Sequence, residues 1–319
     1  MHACAPSDRQ RSSVLWLTGV VLLVITSGCS VRKYAINQLG NVLAGSGTTF
    51  ASDDDPELIK AAVPFSLKLI ESLLTESPEH RGLLLAATSG FTQYSFAFVN
   101  QDADEKQDDE LAAADVLRAR ARRLYLRARG YGLRGLEAAH PGFEQSLRKS
   151  PKSAVQVTKT EDVPLMFWTA AAWGAAISIS KDDPAMVADQ LIVEALIDRA
   201  LELKEDFDRG AILSFLIAYE MARQGGAGDP AARARKRFDR AMELSKGQLA
   251  SPLVSLAESV SLQKQDKAEF QALLNRALAI DPDAAPTVRL QNLIAQRRAR
   301  WLLGKLDELF LDGTKDNPK

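Results

Sequence analysis

Cysteine is almost absent from this 319-residue chain: Cys4 and Cys29 are the only two, and Cys4 lies in the basic, apolar leader. A disulfide framework and a Cys-type metal cluster are therefore excluded from the body of the protein. Histidine is nearly as scarce, with His80 and His140 alone beyond His2, so a histidine base has two candidates and neither stands in a catalytic motif. Alternating Val/Ile/Thr runs are missing as well. "SAVQVTK" (153–159) is the one stretch with any strand character. Charge of one sign is not in excess: without Asp8, Arg9 and Arg11 of the leader, 40 basic and 41 acidic side chains become 38 and 40. That balance gives no reason to expect a polyanionic partner. Gly-x-Ser-x-Gly and His-Glu-x-x-His do not occur, and "GGAG" (225–228) has no Lys-Ser/Thr after it and no strand before it, so no enzyme class has positive support.

Long hydrophobic runs are also lacking. The one clear run, Val14–Ile25, has 12 residues, where a membrane-spanning helix needs about 20. It follows Arg9 and Arg11 and ends at Thr26-Ser27-Gly28, the pattern of a signal peptide over residues 1–28. Cys29 directly after Ser-Gly resembles the bacterial lipoprotein box, although Thr26 stands where Leu is usual. The resemblance implies lipid attachment at Cys29. The alternatives are an ordinary signal peptide with an incidental Cys and a short uncleaved anchor; a lone free thiol in an oxidising compartment fits them poorly. Ser30, in place of Asp, points to the periplasmic side of the outer membrane over the inner membrane.

What is present is helical. Residues 29–55 read as a lipidated N-terminus with a tether and a short helix near Tyr34–Leu43, and residues 56–319 as one all-α domain. Asp55-Pro56, Ser77-Pro78, Asp183-Pro184, Asp229-Pro230, Ser251-Pro252 and Asp281-Pro282 each join a capping side chain to a proline suited to a first helical turn. Leu58, Ala62, Phe65, Leu69 and Leu73 predict one buried stripe. Further helices are expected over Leu111–Ala139, 164–180, 184–203, 208–223, 230–245, 252–262, 266–280 and 286–311. "IDRALEL" (197–203), "FDRAMEL" (238–244) and "LNRALAI" (274–280) share a core centred on Ala200, Ala241 and Ala277. Their spacing resembles degenerate tetratricopeptide repeats, in which helix hairpins stack into a superhelical domain because no hairpin buries its apolar face alone.

Two charged runs invite sharper readings. "QDADEKQDDE" (101–110) lacks the Gly and Glu of a calcium loop and reads as a solvated acidic loop before a helix. The arginines between Arg118 and Arg134 share a broad helix face with Leu117, Leu124, Tyr125 and Tyr131 behind them, so they face solvent or a partner and not nucleic acid. The aromatic clusters "FTQYSFAF" (91–98) and "LMFWTAAAWGAA" (165–176) are core by default. Tyr94, Phe96, Phe98, Phe167, Trp168 and Trp173 are nevertheless the best candidates for the wall of an apolar ligand cavity.

Taken together, "FTQYSFAFV", "RARRLYLRARGYGLRGLE", "HPGF", "WTAAAWGAAIS", "DRGAI", "ASPLVSLAESV" and "LIAQRRARWLL" resemble the T-component (TatT) lipoproteins associated with tripartite ATP-independent periplasmic (TRAP) transporters. The resemblance runs over most of residues 30–311. It implies a periplasmic, lipid-anchored, tetratricopeptide-like protein without enzymatic activity or cofactor. It also implies a homotrimer that docks the substrate-binding P component and passes a small hydrophobic ligand through an internal cavity. The competing expectation is an envelope scaffold that assembles proteins and binds no small molecule.

Overall fold

The structure is a computed structural model, described for residue 38 and for residues 47–223 and 226–310. Cys29, the leader and the Tyr34–Leu43 segment lie outside the described residues, apart from helical Gln38. The described residues hold no strand, and the fold is all-α. "SAVQVTK" is itself coiled, its Ala154 ending a short helix that passes into a 3-10 turn at Val155–Val157.

Helices α1 (Gly47–Ala51) and α2 (Pro56–Glu76) lead into α3 (Arg81–Tyr94), which runs through a π-helical turn at Ser95–Asn100 into α4 (Gln101–Lys106). The longest helix, α5 (Leu111–Ala139), is followed by the short α6 (Phe143–Lys149) and α7 (Pro151–Ala154). Next come α8 (Val163–Ser178), α9 (Pro184–Ala188), α10 (Gln190–Leu203), α11 (Ala211–Ala222) and α12 (Pro230–Leu244). The described residues end with α13 (Ser251–Leu256, prolonged by a π turn to Ser261), α14 (Lys267–Leu278), α15 (Arg289–Gly304) and α16 (Leu306–Leu309).

The Asp-Pro pairs act as their chemistry dictates. Asp55, Asp183 and Asp229 each accept two backbone N–H groups at the start of a helix, and Asp281 accepts one at a 3-10 turn. The Ser-Pro pairs behave differently. Ser77 closes α2, and α3 begins only at Arg81, capped by Nδ1 of His80, which accepts from the Leu83 N–H. Ser251 is already inside α13 and its hydroxyl accepts from Gln291. Serine can serve either end of a helix, so its position beside proline was a weaker signal.

Packing joins neighbours in sequence order. α2 lies on α3, α3 and α8 both lie on α5, α10 covers α8, and α11, α12, α13, α14 and α15 continue the series. Two main apolar cores result, one from Ile59 to Leu216 and one from Ile217 to Phe310, and α11 feeds both. Glycine decides the tightest contact: a β-carbon at Gly132 of α5 would lie 2.0 Å from the Thr169 hydroxyl of α8, and one at Gly135 would lie 2.9 Å from Leu165. Ala200, Ala241 and Ala277, the centres of the recurring phrase, have no exposed surface, as close helix approach requires.

Two expectations change here. Leu73 is buried, but Leu58, Phe65 and Leu69 face outward, with Phe65 75% exposed. The face of α2 that packs carries Ile59, Leu67, Ile70 and Leu74, because Gly90 of α3 leaves room for Leu67 there. The segment 101–110 is a solvated loop only in its last part, the exposed turn 107–110 before α5. Its first part is helix α4, and Asp102 accepts from Lys60 Nζ (2.7 Å) and Arg297 Nη2 (2.9 Å). Asp104 takes Arg298 (3.0 Å), Glu105 takes Arg297 (2.6 Å), and Asp108 takes Lys305 (2.7 Å). These carboxylates tie the C-terminal helices to the N-terminal layer, where α15 also meets α1 and α2.

Candidate functional site

Helices α3 and α8 carry the two aromatic clusters and pack against each other beside α5. Tyr94 and Phe98 are buried one turn apart across the π-helical turn, with ring centroids 5.8 Å apart. Arg120 lies 5.8 Å over the Tyr94 ring. Phe96, two residues after Tyr94 and so on the opposite face of the helix, points the other way and is 56% exposed. Trp173 has no exposed surface; its Nε1 donates to Asp189 at 3.1 Å and the Arg129 guanidinium covers its ring at 4.7 Å. Burial pulls the Arg129 guanidinium down from its ordinary range, against the opposing charge of Asp189.

The third group is the most open. Phe167 is buried, stands nearly edge-on to half-buried Trp168 at 4.9 Å, and meets Phe207 at 5.5 Å. Phe207 belongs to the turn between α10 and α11, which the sequence reading did not single out. Its signal was the Asp-Arg-Gly of "DRGAI": Asp208, Arg209 and Gly210 have φ of 43°, 57° and 87°, three consecutive left-handed residues. Only glycine adopts that region freely. Arg209 holds the turn through Thr287 Oγ1 (2.7 Å) and Gln248 Oε1 (3.5 Å). The structure thus separates the six sequence candidates into a buried Tyr94–Phe98 pair, an exposed Phe96, a polar-capped Trp173 and a half-open Phe167–Trp168 pair.

The arginine face of α5 is shared between the molecule and solvent, with Arg120, Arg123, Arg127 and Arg134 exposed. Arg122 bonds Asp183 (2.6 Å), Arg127 covers Phe91, and Arg134 donates to the Pro78 carbonyl. Both histidines of the described residues have backbone or carboxylate partners: His80 caps α3, and His140 Nε2 lies 2.9 Å from Asp162, which also takes Arg81 and the Lys159 N–H. Burial alone would raise the Asp162 carboxyl, but those three bonds outweigh it and hold it below the usual range. A recess of about 230 Å³ lies elsewhere, bordered by Arg235, Phe238, Leu256, Glu269, Leu273 and Arg276. Among the described residues no three His, Cys, Asp or Glu are grouped to hold a metal, and no helix is long and apolar enough to cross a membrane.

Geometry of this kind defines an all-α protein of packed helix hairpins, with half-open aromatic surface at the α8 and α10–α11 junction. The family model described as "TRAP transporter T-component" (TAtT) matches residues 52–310, and the chain belongs to that family. Membership makes it an accessory component of a TRAP transport system, in a family of transporter subunits and not of known enzymes. The chain is also similar to an uncharacterized protein of Treponema pallidum (strain Nichols), 29% identical over 311 residues that cover 91% of this chain and 95% of the relative.

Proposed function

We propose that the mature protein is a non-enzymatic periplasmic lipoprotein, released from the signal peptide at residues 1–28 and held through acylated Cys29 at the outer membrane. Residues 29–55 act as its tether. The hairpins from residue 56 onward stack as tetratricopeptide-like repeats whose surface docks the substrate-binding P component, and three copies assemble as a homotrimer. A small hydrophobic ligand passes through a cavity walled by aromatic side chains. Of the six residues named from sequence, Phe167 and Trp168 are the best placed, because Trp168 is half-open to solvent. Tyr94, Phe98 and Trp173 are less well placed because they are buried, and Phe96 because it faces outward. The observation that carries this reading is the family match over residues 52–310.

A pull-down of the full-length chain from detergent-solubilised envelopes, followed by native mass spectrometry, tests it. Recovery of a trimer with a solute-binding protein and an apolar small molecule supports the transport reading. A monomer with unrelated envelope proteins and no small molecule supports the scaffold, the second reading, which the many interhelical surfaces of a repeat fold also favour.

A further inference from the structure

We propose that the recess between α12 and α14 is a second binding site, for a free apolar α-amino acid in its zwitterionic form. It lies apart from the Phe167–Trp168 surface and does not depend on ligand passage there.

Three observations meet in this one small space. The first is shape. α12 and α14 both pack on α13 through short connections, so they run in the same direction on either side of it. The recess of about 230 Å³ between them has a floor of buried Phe238, Leu256 and Leu273. That volume suits a ligand of a few carbon atoms and not a drug-sized one.

The second is charge. Arg235, Asp239, Glu269 and Arg276 all line the recess. Two of them are paired with each other: both Nη atoms of Arg235 donate to Glu269, Nη2 at 2.8 Å, and Ser261 Oγ adds a bond to the same carboxylate at 2.6 Å. The other two, Asp239 and Arg276, are exposed and of opposite sign, and neither forms an ion pair with the other or with any described residue. Counted from the Arg235–Glu269 bridge, Asp239 stands four residues on along α12 and Arg276 seven on along α14. At 1.5 Å per residue their backbones are offset by only about 4–5 Å along the groove. An ammonium and a carboxylate carried on one carbon fit between such a pair, with the side chain on the apolar floor.

The third is the internal repeat. Arg276 holds the place that Arg199 and Arg240 hold in the recurring phrase. Arg199 pairs with Glu202 at 3.1 Å, and Arg240 pairs with Glu205 and Glu243, each at 2.7 Å. In the last repeat Ala279 replaces Glu202 and Glu243, and Lys246 stands five residues after Ala241 where Glu205 stands five after Ala200. The chain thus supplies a carboxylate to this arginine twice and withholds it where the recess opens beside it. A guanidinium favours a carboxylate strongly because the hydrogen bonds are charge-assisted.

Isothermal titration calorimetry of the full-length chain tests the site with four probes: leucine, isocaproate (no ammonium), isoamylamine (no carboxylate) and glycine (no apolar side chain). Leucine is expected to bind at least about tenfold tighter than each of the others, the effect of one charge-assisted hydrogen bond or one buried side chain. Arg276→Gln should weaken leucine to the level of isoamylamine, and Asp239→Asn to that of isocaproate. Both side chains are exposed, so Tm should not change. Ala272→Trp, on the exposed rim, fills the recess and should abolish leucine binding. Equal binding of leucine and the two singly charged probes overturns the assignment, as does a preference for leucine that survives Arg276→Gln or Asp239→Asn. Absence of leucine binding at up to about 10 mM, far weaker than a two-charge site allows, overturns it as well.

Discussion

Arg297 donates to Asp102 at 2.9 Å across 195 residues of sequence, and the same Nη2 reaches Glu105 at 2.6 Å. Next to it Arg298 joins Asp104 and Glu258, and its guanidinium lies 4.4 Å over the Trp301 ring. These pairs are half-buried, so solvent screens them in part, yet they are several and mutually supporting. Arg297→Gln with Arg298→Gln should cost about 2 kcal/mol in urea unfolding at low salt. The wild type should lose part of that difference at 0.5 M NaCl, whereas the variant should be nearly insensitive to salt. Equal salt dependence in both would show that the seam is held by apolar contacts such as Leu290 and Ile294.

Glu220 of α11 is 1% exposed and is surrounded by Arg223, Arg233 and Arg237. Burial alone would raise its carboxyl, but the bonds from Arg233 and Arg237 and the charge of Arg223 outweigh it and hold it below the ordinary range. Its stabilising contribution is therefore complete above the unfolded value of about 4.3 and is lost as pH falls through the lower folded one. Glu220→Gln removes the carboxylate that pairs with Arg233 and Arg237, while Arg223 keeps its bidentate pair with Asp198, and should cost about 3 kcal/mol near neutral pH. Chemical denaturation across pH 3–7 checks it: the gap between variant and wild type should shrink toward the acid end.

Gly132 and Gly130 lie two residues apart on α5 and should answer an added methyl in opposite ways. Gly132→Ala forces its β-carbon onto Thr169 and should destabilise by about 1–3 kcal/mol. Gly130 has nothing within 4 Å of that position, so Gly130→Ala should stabilise by about 0.5–1 kcal/mol through helix propensity. Thermal melts of the two variants decide the matter. Similar effects in both would mean that α5 and α8 pack less closely than described.

Phe65 and Leu67 make a parallel contrast on α2. Leu67→Ala removes a 4% exposed side chain from the first core and should cost about 2–4 kcal/mol. Phe65→Ser removes a 75% exposed one and should stay within about 0.5 kcal/mol in the monomer. A large loss at Phe65 under conditions of self-association would mark the outward stripe of α2 as a contact surface.

Much of this molecule was legible in its residues. Asp55, Asp183 and Asp229 mark helix starts because a carboxylate followed by proline satisfies free N–H groups wherever it is placed, with no help from distant chain. The 3.6-residue period and the buried Ala200, Ala241 and Ala277 are likewise local properties, so the all-α fold and most helix bounds follow from sequence. The aromatic candidates were legible only as residue types. Trp173 and Trp168, five residues apart on one helix, part company because Asp189 and Arg129 come from other elements to cover the first and leave the second half-open.

Sequence by itself determined that the chain is helical, where its helices begin, and, through phrases spread over its length, the family to which it belongs. Tertiary structure alone decided which apolar face of α2 is inside, since the core it packs on, including the close approach of Leu67 to Gly90, is assembled from other helices. It also turned an acidic run into a seam, because the guanidinium groups that neutralise it come from nearly 200 residues away. Local periodicity carries no record of such a partner. Charge and shape complementarity between elements distant in sequence exist only once the chain has folded.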